Sequence, residues 1–252
     1  MFSTHQPFIK IGVPLIKLSE IESTNNYALA LIKENKAFSG TVIYTHNQTK
    51  GKGQMGKKWA SNRNQNITLS VILDISRFAL QKQFIISAFT AVTCYNFFKK
   101  YAGNNTAIKW PNDIYFNDKK AGGILIETIQ QENKRIAIIG IGININQKIF
   151  DEDLPNPISL HQISGEEYDV ESLIKELIEH LNNWLPILYD KGEEVLIAYN
   201  QSLYKKDQKV TLKKDNIKFS CIIKEVNDFG ELLVENGFQE SFQHGEVEWI
   251  IE

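Results

Sequence analysis

Cysteine is scarce in this 252-residue chain: Cys94 and Cys221 are the only two, far apart and in no CxxC pair. That excludes a disulfide framework and makes a reducing, cytoplasmic location the expectation. An excess of one charge sign is also missing. Lys and Arg number 28 against 30 Asp and Glu, a net charge of -2, so nothing global implies a nucleic acid or an anionic membrane surface as partner. No apolar stretch is long enough to span a bilayer. The start, MFSTHQPFIK, has neither the basic flank nor the apolar run of a secretory leader. The five histidines are scattered, and no Ser/His/Asp or Cys/His arrangement stands out for nucleophilic catalysis. Internal repeats and low-complexity segments are lacking too. What remains is an ordinary globular composition, at a length for one large domain or one large and one small.

The first positive signal is Ser23-Thr24-Asn25-Asn26, a run of N-cap residues followed by helical spacing at Tyr27, Ala28, Leu31 and Ile32, with Gly40 ending the unit. Thr41–Thr45 reads as a strand and His46–Asn66 as a polar loop. Ile67–Ile75 reads as a strand and Phe84–Tyr101 as a central helix that Gly103 stops. Three further strands are expected: Ala107–Trp110 running on to Phe116, Gly122–Thr128 and Arg135–Ile143. Their short turns imply antiparallel pairing. Val170–Leu188 and Glu193–Tyr204 read as helices. From Lys209 the pattern is short β runs only: Lys209–Leu212, Ile217–Asn227, Glu231–Val234, Ser241–Gln243 and Glu246–Ile251. A division into residues 1–204 and 205–252 follows. The second unit is so small that a core alone is marginal, and it is expected to lean on the first.

Gly51-Lys52-Gly53-Gln54-Met55-Gly56 matches GxGxxG. A dinucleotide fold would need a helix and a return strand after it, and Lys57–Asn66 shows no helical period and is too short for both. Asp228-Phe229-Gly230 imitates a kinase triplet but sits between two short strands with no catalytic loop before it, and reads better as a hairpin turn. A solvated basic loop is the plain alternative, since Lys50, Lys52, Lys57 and Lys58 fall within nine positions. Taken together, the glycines let backbone N–H groups approach an anion and the lysines neutralise it. Trp59 follows directly, either packing on a ligand ring or anchoring the loop to the core.

Lys109-Trp110-Pro111-Asn112-Asp113 is the second constellation. Its lysine ends an apolar strand, and Asp113 is able to hold Mg²⁺ in part, with phosphate and water completing the shell. Asn112-Asp113 also fits a plain turn. In Lys119-Lys120-Ala121-Gly122-Gly123, Gly123 enters a buried strand, or marks a bulge. Gly140-Ile141-Gly142-Ile143-Asn144 ends a continuous apolar strand in an amide, which either bonds a ligand or caps the strand.

These features occur together and in order. The strings ESTNNYA, NQTKGKGQMGKKW, KWPNDIYFNDKKAGGILIE and GIGININ resemble the biotin protein ligase family from about Ser19 to Asn146, and more weakly through Ser159-Leu160 and the β-rich tail. The resemblance implies an α+β fold: a mixed, largely antiparallel sheet with helices, related to class II aminoacyl-tRNA synthetases, plus a small C-terminal SH3-like β-barrel. It implies ATP and biotin as substrates, Mg²⁺ as the metal, and biotinyl-5′-AMP as the intermediate passed to a lysine of a biotin carboxyl carrier domain.

By the same resemblance, Ser23, Thr24, Asn25 and Gln48 take the biotin ureido ring, whose carbonyl and two N–H groups they are able to match. Gly51, Lys52 and Gly53 close over biotin, and Gly123 lines its pocket. Gln54, Met55 and Lys57 face the adenylate, Trp59 packs on adenine, and Asn144 bonds it. Lys52 and Lys120 neutralise the biotin carboxylate and α-phosphate. Lys109, Asn112 and Asp113 lie on the phosphate and metal side. No protein nucleophile is then required, because cations and alignment overcome the repulsion between carboxylate and triphosphate.

Two departures stand out. Many relatives are arginine-rich in the glycine loop, where this chain has Lys52, Gln54, Met55 and Lys57; lysine keeps the charge and loses the bidentate fork. The pattern also begins within about the first 20 residues, which leaves no room for the winged helix-turn-helix of family members that repress transcription, so DNA binding is not expected. A sheet edge in the larger unit is available to pair with a second copy or with the acceptor, leaving a homodimer open. The alternatives are a lipoate or octanoate ligase or transferase on the same scaffold, and a catalytically silent biotin sensor. The ureido set and Lys120 weigh against them.

Overall fold

The computed structural model describes residues 9–152 and 154–250. The first eight residues, where no secretory leader was expected, and the last residue of the expected strand Glu246–Ile251 lie outside them. In chain order come β1 (Leu15–Leu18), α1 (Thr24–Lys33), β2 (Val42–Thr45), β3 (Gly51–Lys52), β4 (Lys58–Trp59), β5 (Asn66–Asp74) and α2 (Phe84–Ala102). Next are β6 (Thr106–Lys109), β7 (Asp113–Phe116), β8 (Lys119–Gln131), β9 (Lys134–Asn144), α3 (Leu160–Ser164), α4 (Val170–Asp190) and α5 (Gly192–Gln201). The chain ends with β10 (Lys209–Lys214), β11 (Ile217–Val226), β12 (Leu232–Glu235), β13 (Gln239–Phe242) and β14 (Glu248–Ile250).

Seven strands form one mixed sheet in the order β1-β2-β5-β9-β8-β7-β6, antiparallel throughout except for the parallel β1/β2 pair. The α+β architecture expected from the sequence is present. Odd-numbered side chains of β5 and β9, among them Ile67, Leu69, Val71, Ile139, Ile141 and Ile143, join α2 and α4 in one core. α2 carries Phe89, Phe97 and Phe98 with no exposed surface, and each such burial stabilises the fold by about 1.5–3 kcal/mol. The opposite face of the sheet has an apolar cluster at one end only. There Ala28 and Ile32 of α1 meet Ile43, Ile72 and Ile138. Ser23 caps α1 as its sequence suggests, its side chain accepting from the Asn26 backbone N–H.

Several elements differ from expectation for local reasons. The run from Ala107 to Phe116 is a hairpin, with Lys109 opposite Asp113; Pro111 has no N–H to give a ladder and takes the turn instead. The polar loop holds the β3–β4 ribbon, Gly51 opposite Trp59. β1 is a short edge strand of alternating exposure, without the apolar run that would announce it. α3 is a single turn and a half set by a capping box of Ser159 and Gln162. α5 stops at Gln201, and Leu203 then runs parallel to Ile108 along the outer edge of β6.

The C-terminal strands form an SH3-like antiparallel sheet in the order β13-β12-β11-β10-β14. Among the described residues β13 and β14 share no ladder, so the expected barrel stays an open sheet. It does lean on the larger unit. Leu212, Ile223, Val226 and Leu232 belong to the same core as α2, Asn200 of α5 exchanges two hydrogen bonds with Val226, and Trp110 Nε1 donates to the Gly230 carbonyl at 2.9 Å.

Candidate active site

Strand β9 explains why one face of the sheet carries no bulky apolar side chains of its own from Gly140 to Asn144. Its Gly140-Ile141-Gly142-Ile143-Asn144 segment alternates, and a strand sends alternate side chains to opposite faces. The isoleucines enter the core. Gly140, Gly142 and Asn144 face the other way, in register with Ser70, Thr68 and Asn66 of β5 on one side. On the other side Leu125 stands opposite Gly140 and Gly123 opposite Gly142. A glycine-paved strip results, edged by small polar side chains, with α1 at one end and the β3–β4 ribbon at the other.

At the α1 end a buried chain of hydrogen bonds links four elements. Asn25 Nδ2 donates to Glu127 Oε2 at 2.7 Å, and Asn25 Oδ1 lies 2.6 Å from Ser70 Oγ. Ser70 Oγ is 2.7 Å from Thr24 Oγ1, and the Thr24 backbone N–H donates to Gln48 Oε1 at 2.9 Å. A Cβ on Gly140 would lie 2.6 Å from Asn25 Oδ1, so only glycine lets Asn25 settle on the sheet. Ser23, Thr24, Asn25 and Gln48, singled out in the sequence, are thus brought together. Ser70, Gly140 and Glu127 were not singled out. The signal that finds Gly140 and Gly142 is the period-two alternation of GxGxN, which a reading of β9 as uniformly apolar passes over.

Two residues along the strands, about 7 Å away, the Trp59 indole rests on the strip. A side chain at Gly142 would collide with its ring, and one at Gly123 would touch it at 3.4 Å. Trp59 Nε1 is buried with no hydrogen-bond partner. The loop thus anchors on the sheet through Trp59, one of the two roles open to it. Lys52 Nζ reaches Asn26 Oδ1 at 2.6 Å. Gly51 packs against Gln48 Nε2, and Gly53 N–H closes the loop on the Lys57 carbonyl. Gln54 is half-buried, and Met55, 74% exposed at positive φ, meets neither cluster and lies beside Gly245.

Beyond Gly123 lie the cations. Lys120 Nζ pairs with Asp113 at 2.6 Å and would touch a Cβ on Gly123 at 3.3 Å. Lys109 Nζ meets the Tyr115 hydroxyl at 3.0 Å and sits over the rings of Tyr115 and Trp249. Burial pulls Lys109 down to about 8; Asp113 opposes that fall, while Lys120 and Lys57 add to it. His244 is lowered by burial too, with Asp113 opposing and Lys57 adding to the effect. Trp249 and His244 therefore bring the C-terminal sheet to this end, which no local sequence feature announces. Two predicted residues spend their donors on the scaffold. Asn112 Nδ2 bonds the Ile124 carbonyl, and Asn144 Nδ2 bonds the Ile158 carbonyl at 3.1 Å, holding the 156–158 segment along Lys120.

Among the described residues no three His, Cys, Asp or Glu side chains gather as a metal cage, and no helix is long and apolar enough to cross a membrane. Asp113 alone is suited to a magnesium ion that takes most of its ligands from phosphate and water.

Comparison with known proteins fits this geometry. Residues 18–144 match the model of the biotin/lipoate A/B protein ligase family. The bifunctional ligase/repressor BirA of Bacillus spizizenii is 39% identical over 176 residues, 67% of this chain and 52% of that protein. The biotin–[acetyl-CoA-carboxylase] ligase of Mycobacterium tuberculosis is 25% identical over 66% of this chain and 64% of its own length. The chain thus spans about half the length of the BirA relative. Among solved structures, the biotin protein ligase from Aquifex aeolicus in complex with biotin and ATP superposes with a TM-score of 0.78 over 93% of this chain and 97% of that one, at 24% identity.

Proposed function

We propose that this chain, which belongs to the biotin/lipoate A/B protein ligase family, activates biotin with ATP and transfers it to a lysine of a biotin carboxyl carrier domain. One observation carries the reading: a single glycine-floored strip joins a neutral hydrogen-bonding end at Thr24, Asn25 and Gln48 to a cationic end at Lys109 and Lys120. Biotin has that polarity, with a ureido ring at one end and a carboxylate at the other.

In this reading the ureido ring meets Ser23, Thr24, Asn25 and Gln48. The carboxylate is directed to Lys120 and Lys52, and Gly51, Gly53 and Gly123 give the backbone room to close on it. The carboxylate oxygen forms a bond to the α-phosphorus of ATP, the bond to pyrophosphate breaks, and biotinyl-5′-AMP results. Lys120 exchanges Asp113 for the α-phosphate, and Lys109 with Lys57 offsets the remaining negative charge. Magnesium, held by Asp113 together with phosphate oxygens, would supply further neutralisation. With the ribbon closed on the ligand, Gln54 and Met55 would turn to the adenylate and Trp59 would move from Gly142 and Gly123 to pack on the adenine, while Asn112 and Asn144 hold the segments beside Ile124 and Ile158. In the second step the carrier's lysine amine attacks the carbonyl, AMP leaves, and an amide forms. Closure of the ribbon keeps water from the mixed anhydride.

A carboxylase carrier as partner is supported by the name of the mycobacterial relative. The free, buried Cys94 and Cys221 suit a reducing cytoplasm. The test is transfer itself. Incubated with ATP, Mg²⁺, biotin and a biotin carboxyl carrier domain, the chain should give that domain the mass of one biotin less water. Transfer of lipoate or octanoate instead would move the chain to the other branch of its family. Tight biotin binding with no transfer and no adenylate would make it a sensor.

A further inference from the structure

The hydrogen-bond chain under α1 has a direction, and Glu127 is where that direction is decided. A carboxylate accepts and never donates. Glu127 Oε2 therefore holds the NH₂ of Asn25, at 2.7 Å, and turns Asn25 Oδ1 to Ser70 Oγ at 2.6 Å. Ser70 has one hydroxyl proton and must give it to Asn25. At its other contact, 2.7 Å from Thr24 Oγ1, Ser70 is then left to accept, so the single Thr24 proton points inward to Ser70. Thr24 Oγ1 and Gln48 Oε1 stand 3.2 Å apart, now with no proton between them. Gln48 has no freedom to reverse, because the Thr24 backbone N–H fixes its oxygen there at 2.9 Å.

We infer that Glu127 is a positioning residue that sets this proton order, so that Thr24 Oγ1 and Gln48 Oε1 present a paired acceptor and select a ligand offering a ring N–H. A cyclic urea satisfies the pair. A cyclic carbamate, with a ring oxygen in place of that N–H, sets lone pairs against lone pairs. The inference rests on the biotin reading above and adds the specificity to it. In Glu127→Gln the side-chain amide donates or accepts equally well, so Asn25 is free to turn over, Ser70 to donate to Thr24, and the Thr24 proton to point toward Gln48.

The test measures, by calorimetry on the whole chain, the dissociation constants of biotin and of its two analogues in which one ureido N–H is replaced by a ring oxygen. The unaltered chain should prefer biotin over at least one analogue by roughly tenfold or more, as expected when a buried acceptor loses its donor. Glu127→Gln should bind biotin and shrink that preference to under about threefold. A purely structural role would weaken all three ligands alike and leave the ratio unchanged, and an unchanged ratio overturns the inference. Should Glu127→Gln fail to fold, Ser70→Ala decides, since removing the hydroxyl also frees the Thr24 proton; a retained preference there overturns it equally. If the unaltered chain binds biotin but shows no preference, the inference alone falls. If it binds neither biotin nor analogue, the biotin reading falls first and takes the inference with it.

Discussion

The two ends of the strip are built by different means. The α1 end is held by hydrogen bonds: Thr24, Asn25, Gln48, Ser70 and Glu127 come from α1, the turn after β2, β5 and β8, and only uncharged side chains stand between the Glu127 carboxylate and Gln48. The cation end is assembled from groups that are easily exchanged. Lys120 is held by one ion pair, and Lys109 by two aromatic rings and a hydroxyl. The difference follows from what each end would have to do. A neutral ring is recognised by fixed donors and acceptors, where an unmatched buried group costs about 1–3 kcal/mol. A triphosphate that loses pyrophosphate needs charge that shifts with it, and lysine supplies a mobile point charge.

Breaking the cation end should therefore cost rate and leave recognition of the ureido ring intact. The largest effect is expected from Lys120→Ala, with adenylate formation falling roughly 100-fold or more at an unchanged melting temperature; near-normal turnover would remove Lys120 from the chemistry. Trp249→Ala should come next, because it takes one wall from the Lys109 cage. The KM for ATP is expected to rise about tenfold while the biotin dissociation constant holds, and equal losses for both ligands would deny the separation of the two ends.

A pH series sharpens the same contrast. With Lys109 lowered to about 8 from its ordinary 10.5, mainly by burial, ATP affinity should fall several-fold as pH rises through about 8, while biotin affinity stays flat. Stability should move in the opposite sense. The folded chain gives up the Lys109 proton before the unfolded chain does, so stability is lower below pH 8 and rises between about 8 and 10.5. Lys109→Met should remove that rise in a denaturant titration. The smallest effect is expected from Gln54→Arg, which adds a guanidinium fork at the ribbon and should slow adenylate release about threefold; an unchanged off-rate would mean that the ribbon holds by backbone alone.

How much of this was legible in the sequence depends on how far apart the cooperating residues lie. α1 was readable because Ser23 caps a helix within its own first turn, and α2 because nineteen residues of mostly buried side chains leave no other element to form. The set Thr24, Asn25, Gln48 was marked by motif and proved to be in contact. Ser70 was hidden as a polar residue in a β run, and Glu127 closed the string KAGGILIE with no role read for it; only the register of β5, β9 and β8 brings them to Asn25. Asn112 and Asn144 were visible as side chains, but their commitment to the Ile124 and Ile158 carbonyls was not. Trp249 lies 140 positions from Lys109, beyond the reach of any local pattern. The turn at Pro111 was the opposite case: the missing N–H was in plain view and argued against one continuous strand.

The central claim is that the strip joins a carboxylate-bearing cyclic urea to the α-phosphate of ATP. Exchange of labelled pyrophosphate into ATP tests it most directly, with Mg²⁺ present and with biotin, lipoate or octanoate added singly. The account predicts exchange that depends on biotin and disappears in Lys120→Ala. Exchange driven by lipoate or octanoate but not by biotin, or no exchange at saturating biotin, would contradict it.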